Sequence, residues 1–146
     1  MVNSVTPLAI GCDGRGLPAP GGGVWAGTTA GVARFEGDRF RAYTKRDGLP
    51  DERVQALLHD EEGSLWIGTG DGLARLRDGK IRSVGTADGL FDGLVKGILL
   101  VDGWLFLTGN HGVFRVRRSL VTATMDGDRM GFSSEQFGTA DGMRSE

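Results

Sequence analysis

The chain repeats itself with a period near 41 residues, and no other feature restricts its fold as much. Three segments align. They are Val24-Trp25-Ala26-Gly27-Thr28-Thr29-Ala30-Gly31-Val32-Ala33-Arg34-Phe35, Leu65-Trp66-Ile67-Gly68-Thr69-Gly70-Asp71-Gly72-Leu73-Ala74-Arg75-Leu76, and Leu105-Phe106-Leu107-Thr108-Gly109-Asn110-His111-Gly112-Val113-Phe114-Arg115-Val116. Trp25 and Trp66 lie 41 residues apart, Gly31 and Gly72 also 41, and Gly72 and Gly112 40. The connecting segment keeps the same step: Asp47-Gly48-Leu49 and Asp88-Gly89-Leu90 are 41 apart, as are Val54 and Val95. Chance does not hold several unrelated residue types to one period.

A helical repeat of this length needs long stretches with a 3.6-residue apolar rhythm. Here short apolar runs are cut by glycine, the pattern of strands joined by tight turns. The middle unit has four such runs, 54–59, 64–69, 73–77 and 80–84. Between them stand Asp60-Glu61-Glu62-Gly63, Gly70-Asp71-Gly72 and Asp78-Gly79. An Asp-Gly pair suits a two-residue hairpin, whose type I′ turn requires positive φ at both central positions. Four antiparallel strands per 40 to 45 residues is the pattern of a β-propeller blade.

The expected fold is therefore all-β, a partial β-propeller of about three four-stranded antiparallel blades plus the start of another. One domain spans 1–146, with blades near 5–44, 54–85 and 94–137 and a lead-in to a further blade at 138–146. The 26 glycines then have a purpose, because each blade needs several positive-φ turns. Leu65-Trp66-Ile67 is continuously apolar, as a strand covered on both faces should be. Trp25 and Trp66 are expected to anchor the packing of blade on blade, with Phe106 in that role in the third unit. Three blades cannot close a ring, since propellers have typically 4–8. Bare faces and strand edges invite association, and two copies would approach a ring of six or seven blades.

The pattern Val54-x-x-Leu57-Leu58-x-Asp60-x-x-Gly63-x-Leu65-Trp66-Ile67-Gly68-Thr69-x-x-Gly72-Leu73-x-Arg75, followed by Asp88-Gly89-Leu90, resembles the two-component regulator propeller repeat. The resemblance covers roughly residues 5 to 118, and Phe137-Gly138-Thr139-Ala140-Asp141-Gly142 resembles the lead into later blades. It implies a periplasmic or extracytoplasmic sensor propeller of a bacterial signalling receptor, whose output domain lies elsewhere. The chain then reads as a piece of a longer sensor. The third unit departs from the pattern: Thr108-Gly109 replaces Gly68-Thr69, and about a dozen extra residues lie between Val116 and Asp141.

Other classes are set aside by composition. Lys plus Arg is 17 and Asp plus Glu 19, for a net charge of −2, which is not the basic surface of a nucleic-acid binder. The longest apolar run, Ile98 to Val101, is too short to insert in a membrane. Residues 1–30 show no basic segment followed by an apolar one, so no signal peptide is read there. Cys12 is the one cysteine and reads as a small filler residue.

No catalytic constellation, cofactor motif or metal-ligand spacing is expected. His59 and His111 occupy non-equivalent repeat positions, and each reads as an ordinary strand or turn residue. Asp47, Asp88 and Asp141 each precede glycine and read as turn residues, as do Asp60 and Asp102 at the first hairpins. Gly68 to Gly72 lacks the Lys-Ser/Thr and the helix of a phosphate loop. Arg34, Arg75 and Arg115 recur in the third strand, on a solvated face or paired with a carboxylate of a neighbouring blade. If a ligand binds, the loops at one end of the ring are the place: 28–31, 69–72 and 109–112, with the links 44–53 and 85–94. There Arg46, Asp71, Asn110 and His111 offer polar groups without packing duties.

The leading functional expectation is a noncatalytic segment that senses a small molecule or saccharide. A self-associating interaction scaffold, or one that packs on the remaining blades of a longer chain, is the alternative. A saccharide-acting lyase or hydrolase on the same scaffold carries less weight.

Overall fold

A computed structural model of the chain describes residues 16–18, 23–36 and 38–137. Cys12, Asp141 and the expected lead-in at 138–146 lie outside them. The strands run in chain order as β1 (Gly16–Pro18), β2 (Val24–Thr28), β3 (Gly31–Glu36), β4 (Arg39–Tyr43), β5 (Val54–His59), β6 (Leu65–Thr69), β7 (Gly72–Arg77) and β8 (Lys80–Val84). Then follow β9 (Gly97–Val101), β10 (Trp104–Gly109), β11 (Gly112–Arg117), one helix α1 (Arg118–Met125) and β12 (Glu135–Phe137). They form three four-stranded sheets, β1-β2-β3-β4, β5-β6-β7-β8 and β9-β10-β11-β12, each an antiparallel meander. Together they make an open stack of blades rather than a closed ring.

The register preserves the repeat. Trp25 pairs with Arg34, Trp66 with Arg75 and Phe106 with Arg115 across the second and third strands of each sheet. The two-residue hairpins have the turn the sequence calls for. Asp78-Gly79 and Asp102-Gly103 carry φ of 52°, 77°, 51° and 82°, all in the left-handed region. Asp47 and Asp88 close short 3₁₀ turns between blades. Asp47 Oδ2 accepts the Thr44 main-chain N–H at 3.0 Å, and Asp88 Oδ2 accepts that of Gly85 at 2.9 Å.

The middle sheet is buried on both faces. Leu57, Leu65, Ile67, Ala74 and Leu76 face the first sheet and join Trp25, Val32 and Tyr43 in one core. Ala56, Leu58, Trp66 and Leu73 face the third sheet and join Leu105, Leu107, Phe114 and Val116 in a second. Alternating side chains point to opposite faces of a strand, so one strand feeds both cores. All five residues of β6 are buried for this reason. Main-chain hydrogen bonds stitch the two sheets as well, from Val95 N–H to Thr69 O at 3.0 Å and from Gly72 N–H to Gly93 O at 2.6 Å.

The helix was not legible beforehand. The extra residues of the third unit form α1, which packs Val121 and Met125 into the core shared with the second sheet. Its first residue, Arg118, reaches back to the β5–β6 turn of the neighbouring blade. The guanidinium bonds Asp60 Oδ2 at 3.2 Å and Glu61 at 2.8 and 3.0 Å.

Candidate functional site

Val54 pairs with Thr69, so the start of β5 and the β6–β7 turn share one end of the blade. The links between blades arrive at that end, which is where the sequence places the candidate loops. In the first two blades a threonine holds the β-turn there. Thr28 Oγ1 donates to Gly31 O and accepts the Ala30 N–H, both at 2.9 Å. Thr69 Oγ1 does the same with Gly72 O at 2.9 Å and the Asp71 N–H at 3.1 Å. Gly109 stands at this position in the third blade and has no hydroxyl to offer. Asp92 takes over: its Oδ2 accepts the His111 N–H at 3.1 Å and lies 3.1 Å from His111 Nδ1. Its Oδ1 accepts the Leu94 N–H at 3.1 Å. Burial of Asp92 by itself raises its pKa, but the Leu94 N–H, the His111 ring and the main chain of His111 and Asn110 outweigh that. The carboxyl is held below its ordinary 3.8.

Of the four expected ligand residues, the fold gathers three. Asn110 and His111 sit on the turn held by Asp92. Asp71 is beside them, because the Gly72 N–H bonds the Gly93 carbonyl of the same link. Phe91 meets the His111 ring edge-on at 6.1 Å. Arg46 stands apart in its own 3₁₀ turn, where its main-chain N–H donates to Thr44 Oγ1 at 3.2 Å. All four are exposed. Asp51 is the partner the repeat should have revealed: it precedes Asp92 by 41 residues and makes the equivalent turn, accepting the Arg53 N–H at 3.0 Å.

The structure shows a second locus, toward the hairpin end, which sequence reading did not find. A cleft of about 240 Å³ opens between the first and second sheets, lined by Trp25, Arg34, Tyr43, His59, Leu65 and the Asp78-Gly79 turn among others. The Arg34 guanidinium lies 5.5 Å from the Trp25 ring centre, and the rings of Tyr43 and His59 are each 6.1 Å from Trp25. Trp25 is only 5% exposed, and its indole Nε1 is buried without an acceptor. Neither His59 nitrogen completes a hydrogen bond of ordinary geometry. Burial lowers the His59 pKa below 6.5, and the nearby Ser64 main chain and the Asp60 charge offset only part of that. The imidazole is therefore neutral at neutral pH, with one nitrogen a donor and the other an acceptor.

The contrast with the next blade shows how unusual this is. Trp66 is the repeat equivalent of Trp25, and its Nε1 donates to Asp60 Oδ2 at 2.8 Å. Asp60 also accepts the Ser64 and Glu62 N–H groups at 2.9 Å each. Buried polar groups are normally paired, so an orphaned indole N–H and imidazole lining one cleft form a potential ligand-binding feature. The recurring arginines differ from one another. Arg75 bonds Asp126, just past α1 in the third blade, at 2.7 Å. Arg115 pairs with Glu135 of its own sheet at 2.7 Å, and Arg34 lies 4.0 Å from Glu36 on its own strand.

Residues 48–71 match the family model of the two component regulator propeller. No curated protein matches the chain. Among solved structures, the chain is similar to the extracellular domain of a B. thetaiotaomicron protein named as a one component system. The TM-score is 0.61 at 17% identity, over 73% of this chain and 14% of that one. The chain thus spans about a seventh of that structure. The likeness establishes the blade architecture.

Proposed function

We propose that this chain is a noncatalytic, ligand-sensing segment of an extracytoplasmic propeller in a bacterial signalling receptor. The match at 48–71 to the two component regulator propeller supports the receptor context. The likeness to an extracellular domain supports its place outside the cytoplasm. The observation that carries ligand binding is the cleft between the first two blades, with the orphaned Trp25 Nε1 and His59 nitrogens on its walls.

The lining favours one kind of ligand. Trp25 and Tyr43 offer flat apolar surface, and Trp25 Nε1 and the imidazole call for hydrogen-bond partners. A small molecule with an apolar face and polar substituents satisfies both, which describes a monosaccharide or a small carboxylate. The volume lies below the roughly 300 Å³ at which drug-sized sites begin. Because the walls belong to two blades, occupancy changes how those blades pack. In a receptor that change passes to neighbouring blades and to association of the whole chain.

Calorimetric titration of the chain with monosaccharides and small carboxylates tests this. Binding by one class is expected, weakened about tenfold or more by Trp25→Phe, which keeps a ring but removes the N–H. His59→Gln should weaken it similarly. Binding that responds instead to Asp71→Ala or His111→Ala moves the site to the loops around Asp92. Failure of every ligand to bind, with the fold intact, overturns the reading.

A further inference from the structure

The end faces of the stack carry the two halves of an interface that the molecule already forms twice. Inside the stack, the trailing face of one sheet packs on the leading face of the next. The first trailing face presents Trp25, Val32 and Tyr43 to Leu65, Ile67, Ala74 and Leu76 of the second sheet. The second presents Trp66 and Leu73 to Leu105, Leu107, Phe114 and Val116 of the third. One leading face and one trailing face remain without a partner among the described residues.

The free leading face belongs to the first sheet. The register puts Val24, Phe35 and Phe40 side by side, with Ala26, Ala33 and Ala42 in the adjoining row. These are the repeat equivalents of leading-face positions that are buried or partly buried in the second sheet, and nearly all are apolar. Yet Val24 is 40% exposed, Phe35 45% and Phe40 64%, and the two phenylalanine rings stack at 5.3 Å. The free trailing face belongs to the third sheet. Phe106 stands there at the Trp25 and Trp66 position, paired with Leu99 and Arg115 in the register. Phe106 stacks on Phe137 at 6.2 Å, and Leu99 and Val101 are 49% and 47% exposed.

We infer that the chain associates head to tail with a second copy of itself, the trailing face of one third sheet seated on the leading face of the next first sheet. The proposal is independent of the sensing role. What argues for a second copy is equivalence to the established interfaces: each end offers the chemistry that the other end's counterpart covers elsewhere in the stack. Such a contact is heterologous. It generates a ring when the rotation closes and an open assembly when it does not. One substitution shapes the seam. Thr108 replaces the glycine that lets the next inner strand approach at Gly68, so the contact rests on the aromatic rows of the outer strands.

Light scattering on a sizing column tests it with the full chain and two exposed-surface variants, Phe40→Glu on the leading face and Leu99→Glu on the trailing face. Circular dichroism and thermal melts verify that both retain the fold. The unmodified chain is expected to exceed the monomer mass increasingly with concentration. Each variant alone should be monomeric. Mixing the two should restore a dimer, because one intact leading face then meets one intact trailing face. A monomeric unmodified chain from micromolar to submillimolar concentration overturns the proposal. So does association that both variants leave unchanged, or a mixture that stays monomeric.

Discussion

Asp60 shows how much one side chain can hold. Its carboxylate, fully buried, accepts two turn N–H groups, the Trp66 indole and the Arg118 guanidinium. Asp60→Ala strands all of these donors in low dielectric. It should cost about 3 kcal/mol or more in urea denaturation, because unpaired buried groups cost more than a bond contributes. Trp66→Ala removes a side chain with 0% exposure and should cost about 3–5 kcal/mol. His59 gives a pH signature. Its pKa in the fold lies below the ordinary 6.5, so an unfolded chain takes up a proton that the folded chain refuses. Its contribution is full above 6.5, declines as pH falls below that value, and is lost by the time the folded pKa is passed. His59→Gln should flatten the fall in urea midpoint measured from about pH 8 to pH 5. The lowered carboxyls of Glu61, Asp92 and Asp126 act further down. Their stabilisation is complete above the ordinary values of 4.5 and 3.8 and disappears as pH drops through the lower folded ones.

At the level of strands, the glycine in the second strand of each blade sets how closely the next inner strand approaches. A Cβ built on Gly68 would lie 2.7 Å from both the side chain and the main-chain oxygen of Val95. One built on Gly27 would meet Val54 Cγ1 at 2.7 Å but no main-chain atom. Gly68→Ala therefore has to move backbone and should cost about 1–3 kcal/mol, with Gly27→Ala cheaper. The comparison of their thermal midpoints checks the order. The repeat made this position visible, and the four-strand pattern of the second unit reads directly from its apolar runs. The helix was not visible in that way. Residues 118–125 belong to no repeat, and α1 is held by partners distant in the chain, through Arg118 to Asp60 and through Val121 and Met125 to the second core.

For the molecule as a whole, the second sheet is the keystone, since it supplies one face to each core. Stability in a stacked repeat is close to a sum of units and their neighbour interfaces, and only this unit has two full interfaces here. Hydrogen exchange should therefore be slowest in β6 and β7 and fastest in β4 and β12, whose residues are mostly exposed. Equal protection across the three sheets would show that the stack opens as one unit instead.

The sequence by itself determined the period, the four-stranded unit, the turns at Asp-Gly pairs and the tryptophan anchors. Those depend on local matters: alternation along a strand, positive φ at a turn, and the recurrence of both at a fixed step. The tertiary structure alone decided that Asp71, Asn110 and His111 gather near Asp92 while Arg46 stands apart. It also decided that Trp66 finds Asp60 while Trp25 Nε1 and His59 line a cleft unpaired, and that Arg118 latches onto a turn 58 residues away. Each of these depends on which side chains meet across a seam between sheets, and a spacing rule within one strand carries no information about that meeting.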